Sequence, residues 1–107
     1  MKIITREIEL KLKENMALPE GERVPVLKIF GGVACTWLIS EKEGDVLFGL
    51  CDLGLGCAEL GYVSLSELEG LRFPPFGLGV ERDSWFEADK TLSEYADEAR
   101  ELGGIAA

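Results

Sequence analysis

Residues 24–63 read VPVLKIFGGVACTWLISEKEGDVLFGLCDLGLGCAELGYV, and this stretch decides the fold class. Four apolar, β-rich runs, at 24–30, 34–39, 46–51 and 59–63, alternate with turn-forming pieces. These are Gly31-Gly32, then Glu41-Lys42-Glu43-Gly44-Asp45, then Asp52-Leu53-Gly54-Leu55-Gly56. Only Pro25 and Lys28 interrupt the first run, and Trp37 lies inside the second. A parallel pair needs a crossover of about a dozen or more residues, and none of these connections supplies one. The strands are therefore expected to pair antiparallel, as a meander.

Working outward, Thr5 is placed to cap a helix, with Glu7 near its positive end. Ile4, Ile8, Leu12 and Met16 recur every four residues, as one helical face requires. The alternation of Ile8, Leu10 and Leu12 keeps a strand open as the weaker reading. Pro19-Glu20-Gly21-Glu22 makes a turn. Downstream, Ser64-Leu65-Ser66-Glu67 has capping-box spacing and opens a short helix ending near Gly70. Phe73-Pro74-Pro75-Phe76-Gly77 must be extended or turned. Residues 80–86 form either a fifth strand or an ordered loop. A second capping box, Thr91-Leu92-Ser93-Glu94, opens a helix that runs to about Leu102, where Gly103-Gly104 stops it. On that helix Leu92, Tyr95, Ala96, Ala99 and Leu102 share an inner face, while Glu94, Asp97, Glu98 and Glu101 form an outer carboxylate stripe. The expectation is one α+β domain over residues 1–107. It has an antiparallel four- to five-stranded meander, an N-terminal helix, a short middle helix and a C-terminal amphipathic helix.

The charge balance narrows the function classes. Residues 1–53 hold nine acids and seven bases, a net of −2; residues 54–107 hold eleven acids and four bases, a net of −7. Such a surface repels phosphate backbones, so neither nucleic acid nor a membrane is expected as a direct partner. A basic protein surface is the favoured one, because complementary fields speed encounter. The plain alternative is that the charge serves solubility. No apolar run reaches the roughly 20 residues of a membrane span. Charges also begin too early, at Lys2, Arg6 and Glu7, for the core of a signal peptide, so a cytoplasmic setting is expected.

There is no histidine, which removes the commonest general base and metal ligand. Cys35, Cys51 and Cys57 sit among apolar residues and read as buried structural thiols. Without a paired spacing they give no zinc signature, and neither metal nor cofactor is expected. Gly54-Leu55-Gly56 and Gly77-Leu78-Gly79 lack the lysine of a phosphate loop and read as turns. Glu81-Arg82-Asp83 is the densest charged cluster. In an extended segment its two carboxylates face one side and Arg82 the other. Such a pair could serve acid–base chemistry, but an ion-pair lock on the sheet is favoured, and with it a protein that is not an enzyme. Most aromatics are expected in the core. Phe73, Phe76 and Trp85 lie in irregular segments, where an exposed ring beside acids would mark a protein-binding hot spot.

One stretch carries a family resemblance. Glu59-Leu60-Gly61-Tyr62-Val63-Ser64-Leu65-Ser66-Glu67-Leu68-Glu69 resembles the signature of an uncharacterised bacterial family, domain of unknown function 2958. The opening Ile3-Ile4-Thr5, the stretch from Thr36-Trp37 through Phe48-Gly49-Leu50, Glu81-Arg82-Asp83 with Phe86, and Thr91-Leu92-Ser93-Glu94 are similar to the rest of that family's pattern. The resemblance reaches to about residue 94 and departs in the short turn after Pro19 and in the Gly-Ala-rich end. It implies no catalytic residues. It does imply a genomic setting on plasmids, integrative elements and phages, often beside anti-restriction genes.

The leading expectation is therefore a non-enzymatic acidic accessory protein of a mobile genetic element. It would bind a host nucleic-acid-handling defence complex, in the manner of an anti-restriction or anti-CRISPR protein. The candidate partner-binding residues are Glu94, Asp97, Glu98, Glu101, Glu81, Asp83, Phe76 and Trp85. The alternatives are a small enzyme or ligand-binding domain around Glu81, Arg82 and Asp83, or a module that forms a homodimer through an open sheet edge or residues 73–76.

Overall fold

The computed structural model describes residues 2–107. Helix α1 (Arg6–Met16) opens on Thr5, whose hydroxyl accepts the Ile8 amide at 3.2 Å. A short 3-10 turn at Glu20–Glu22 leads into strands β1 (Leu27–Gly31), β2 (Cys35–Glu43), β3 (Val46–Asp52) and β4 (Glu59–Ser64). Helices α2 (Leu65–Gly70) and α3 (Leu92–Leu102) follow, with the two-residue strand β5 (Glu81–Arg82) between them. The five strands form one sheet in the order β4-β3-β2-β1-β5, and every pair is antiparallel. This is the α+β meander with three helices that the run-and-turn pattern implies.

Alternation along the strands divides the core in two. Leu27, Ile29, Trp37, Ile39 and Leu47 face α1 and α2, packing on Leu12 and Leu68. Leu38 and Leu50 face the opposite way, onto Leu92, Tyr95, Ala96 and Ala99 of α3. The sheet is thus a middle layer with helices on both faces, so strand residues are buried on alternate sides.

Four details differ from the sequence reading. Glu41-Lys42-Glu43, read as a turn, continues β2. The charges are tolerated there because Glu41 pairs with Arg23 at 2.9 Å and Lys42 with Glu9 at 2.6 Å. The first strand begins at Leu27 rather than Val24, since Pro25 has no amide to give to a ladder. The segment at 80–86 contributes only Glu81 and Arg82 as strand. Leu102, assigned to the inner face of α3, is 65% exposed.

A β-bulge breaks the β2–β3 register between Ile39, which pairs with Gly49, and Glu41, which pairs with Phe48. Ser40 is the extra residue, and its carbonyl accepts the Asn15 side-chain amide at 2.9 Å. The bulge brings the β2 backbone so close to Gly49 that a Cβ there would lie 2.0 Å from the Leu38 carbonyl oxygen. Only glycine fits. Asp52, at the other end of β3, is buried and accepts the amides of Gly54 at 2.8 Å and Ile105 at 3.0 Å, which ties down the chain after α3.

Candidate functional site

β5 owes its place to Arg82. Pairing with β1 sets Arg82 opposite Ile29 and Glu81 opposite Phe30. Alternation then sends the guanidinium toward the chain ahead of α1, where it donates to the carbonyls of Lys2 at 2.6 Å and Ile3 at 2.9 Å. Glu81 and Asp83 take the other side. The Asp83 carboxylate lies 3.8 Å from the Lys28 ammonium and also accepts the Trp85 amide at 2.9 Å, closing a turn. Arg82 and Asp83 are thus engaged in holding the edge. Glu81 is exposed and has no ion pair among the described residues.

That held edge presents Trp85 to solvent. Its side chain is 93% exposed, and the exposed Glu87 follows it. Phe86 turns the other way, its ring centroid 6.5 Å from that of Tyr95. Upstream, Phe73 and Leu78 bridge a tight hairpin, with the Phe73 amide donating to the Leu78 carbonyl at 2.8 Å. The Phe73 ring lies on the Gly31-Gly32 turn, where a Cβ on either glycine would approach it to 2.7 or 2.8 Å. Those glycines let hairpin and turn meet. Between them lies an open cleft of about 770 Å³, lined among others by Phe30, Val33, Phe76, Leu78, Glu69 and Glu81. Phe76 is 82% exposed at its rim. Arg72 also lines the cleft, but its guanidinium is turned onto the carbonyls of Glu69 at 3.0 Å and Leu71 at 2.6 Å.

The α3 stripe is differently disposed. Glu94 closes the capping box, accepting both the amide and the hydroxyl of Thr91. Those hydrogen bonds hold its carboxyl below the ordinary glutamate value. Asp97 pairs with Arg100 at 2.8 Å, and Glu98 with Lys90 at 3.6 Å. Lys90 also stands 5.0 Å from the centre of the Tyr95 ring. Glu101 is exposed and unpaired among the described residues. Three of the four carboxylates are therefore engaged within the chain. The structure brings Phe76 and Glu81 to one cleft, places Trp85 just beyond β5, and keeps the stripe on a separate helix.

Cys57 is exposed, contrary to the reading of three buried thiols, because it lies in the irregular connection before β4. Cys35 and Cys51 are partly buried, and burial raises both thiol pKa values, which disfavours thiolate. Among the described residues no three Cys, Asp or Glu side chains gather as a metal site. No described helix is long and apolar enough to cross a membrane. Sequence reasoning missed the buried polar residues Asn15, Ser40 and Asp52. Their burial depends on tertiary neighbours, and nothing in the local pattern signals it.

A family model described as "Protein of unknown function (DUF2958)" matches residues 3–106. No curated protein and no solved structure matches the chain.

Proposed function

The chain belongs to the DUF2958 family, and from that premise we propose that it is a non-enzymatic accessory protein of a mobile genetic element, which binds and inhibits a host nucleic-acid-handling defence complex. Trp85 carries the reading. An indole 93% exposed contributes almost nothing to the stability of its own chain, yet a turn closed on the Asp83 carboxylate holds it out, two residues before the exposed Glu87. Aromatic anchors of this kind dominate protein interfaces when a partner buries them. Phe76 and the apolar rim of the cleft extend the same argument. The net charge of −9 supplies the selectivity. A basic groove built for phosphates would attract this surface at long range, and occupying it would exclude the nucleic acid.

The test is affinity capture from a bacterial host lysate with the whole chain as bait, read by mass spectrometry. A basic nucleic-acid-handling complex should be retained at low salt by the wild type and lost by Trp85→Ala, whose melting temperature should be unchanged. Equal capture by both proteins would refute the role of Trp85.

A further inference from the structure

Of the sheet's two edges, β5 is two residues long, whereas β4 runs for six, and no described strand pairs with its outer side. Natural edges are blunted by shortness, proline, lysine or a bulge, because they offer unpaired N–H and C=O groups to another chain. β4 has none of these devices. Its register with β3 is regular from Val46–Ser64 to Cys51–Glu59, and Glu59 is its only charge. The Leu65 amide continues that ladder, donating to the Asp45 carbonyl at 2.8 Å. Hydrogen-bonded pairs alternate along an antiparallel ladder. Glu59, Gly61 and Val63 therefore bond to β3, while the N–H and C=O groups of Leu60 and Tyr62 point outward.

The surrounding side chains say which chain fits. Leu60 and Tyr62 lie across from Leu50 and Phe48, on the α3 face, and are 41% and 75% exposed. Glu59 lies across from Cys51 on the opposite face, the one that α1 and α2 cover. Residues 43–71 hold six acids and neither lysine nor arginine. Among them Glu43, Glu59, Glu67 and Glu69 are exposed and without an ion pair among the described residues. Glu20, which shares a hollow with Leu60 and Tyr62, is likewise exposed and unpaired there. The cations nearby are spent. Arg23 and Lys42, which line hollows beside Tyr62, pair with Glu41 at 2.9 Å and Glu9 at 2.6 Å. Arg72 is turned onto the carbonyls of Glu69 and Leu71. A second copy would bring its own net −9 to this negative edge, whereas a basic strand meets complementary charge.

We propose that β4 accepts an added antiparallel strand from another protein, an extended segment in which apolar residues alternate with lysine or arginine. The apolar residues lie opposite Leu60 and Tyr62 and exchange backbone hydrogen bonds with them. The cations lie on the other face, beside Glu59 and toward α2. This edge is at the far end of the sheet from β5 and Trp85. The site therefore goes beyond the partner-binding surface and does not depend on it.

The test is an amide-resolved NMR titration of the whole chain with a capped seven-residue peptide alternating lysine and valine. The peptide should move the amide signals of Leu60 and Tyr62, slow their hydrogen exchange, and bind less tightly as salt rises. Opposite residues of an antiparallel pair share a face, so the valine amides are the ones that meet β4. N-methylation of the valines should abolish binding, and N-methylation of the lysines should leave it. A glutamate–valine peptide should not bind. Glu59→Lys should weaken the lysine–valine peptide about fivefold, the worth of reversing one cross-strand charge pair. Shifts centred away from β4, equal binding by the two N-methylated peptides, binding of the glutamate peptide, an unchanged affinity in Glu59→Lys, or no saturable binding up to about 1 mM peptide would each overturn the proposal. So would a free protein that sediments as a dimer with its Leu60 and Tyr62 amides already protected. Should Glu59→Lys fail to fold, the two N-methylated peptides decide it.

Discussion

Gly49 and Gly61 face each other across β3 and β4, and alanine at the two positions should have opposite effects. A Cβ on Gly49 would lie 2.0 Å from the Leu38 carbonyl oxygen, 2.8 Å from the Leu38 carbonyl carbon and 2.9 Å from the Ile39 Cα. All three are backbone atoms of a central strand, so no rotamer change relieves the clash. β2 would have to move by more than an ångström, opening ladder bonds at the bulge. Forcing a carbon into a packed interior costs about 1–3 kcal/mol, and each weakened ladder bond adds about 1 kcal/mol. Gly49→Ala should therefore lose roughly 3 kcal/mol. At about 4 °C per kcal/mol for a domain of this size, that lowers the melting temperature by roughly 12 °C. Gly61 has no atom within 4 Å of a Cβ placed on it. Its replacement mainly restricts the unfolded chain and should gain about 0.4–1 kcal/mol. Thermal and urea unfolding followed by circular dichroism measures both. A Gly49→Ala protein within 1 kcal/mol of wild type would refute the bulge geometry, as would a Gly61→Ala protein that loses as much as Gly49→Ala.

Two further substitutions test local devices. The Asp45 carboxylate accepts the hydroxyls of Ser64 at 2.5 Å and Ser66 at 2.7 Å, which hold its pKa below the ordinary aspartate value. A lowered folded pKa adds stability that is present above the unfolded value near pH 4 and is lost as pH falls through the folded value. The stability gap between wild type and Asp45→Asn at neutral pH should therefore close in acid; a gap unchanged down to about pH 2 would contradict this. Thr91→Ala removes half of a reciprocal cap and should cost about 1 kcal/mol in urea unfolding, with Thr91→Asn recovering most of it. No loss in Thr91→Ala would mean that packing alone fixes the start of α3.

What was legible in the sequence was local or periodic. The Thr91 capping box and the Ser64 N-cap, whose reciprocal Glu67 bond is not made, announce their helices within four residues, and the strand runs are bounded by their turns. The continuation of β2 through Glu41-Lys42-Glu43 was not legible, because it rests on Arg23 and Glu9 in other elements. β5 shrinks to two residues because its extent is set by what β1 pairs with, not by its own propensity. The candidate site divides the same way. The single-sign face of α3 follows from helical spacing, and Asp97–Arg100 is an i,i+3 pair. The pairing of Glu98 with Lys90, from beyond the helix start, has no helical spacing to reveal it. The exposure of Phe76 and Trp85 was foreshadowed by their irregular surroundings. The buried Ser40 hydroxyl, without a hydrogen-bond partner among the described residues, arises from a bulge that no residue type announces.

Partner binding driven by negative charge around an exposed indole is tested most directly by measuring the affinity of the captured complex for wild type and Glu81→Lys across a salt series. The wild-type affinity should fall steadily as screening shortens toward the roughly 8 Å Debye length of physiological salt and beyond, and Glu81→Lys should start weaker and fall less. An affinity that stays flat with salt, or a Glu81→Lys protein that binds as tightly as wild type, would contradict it.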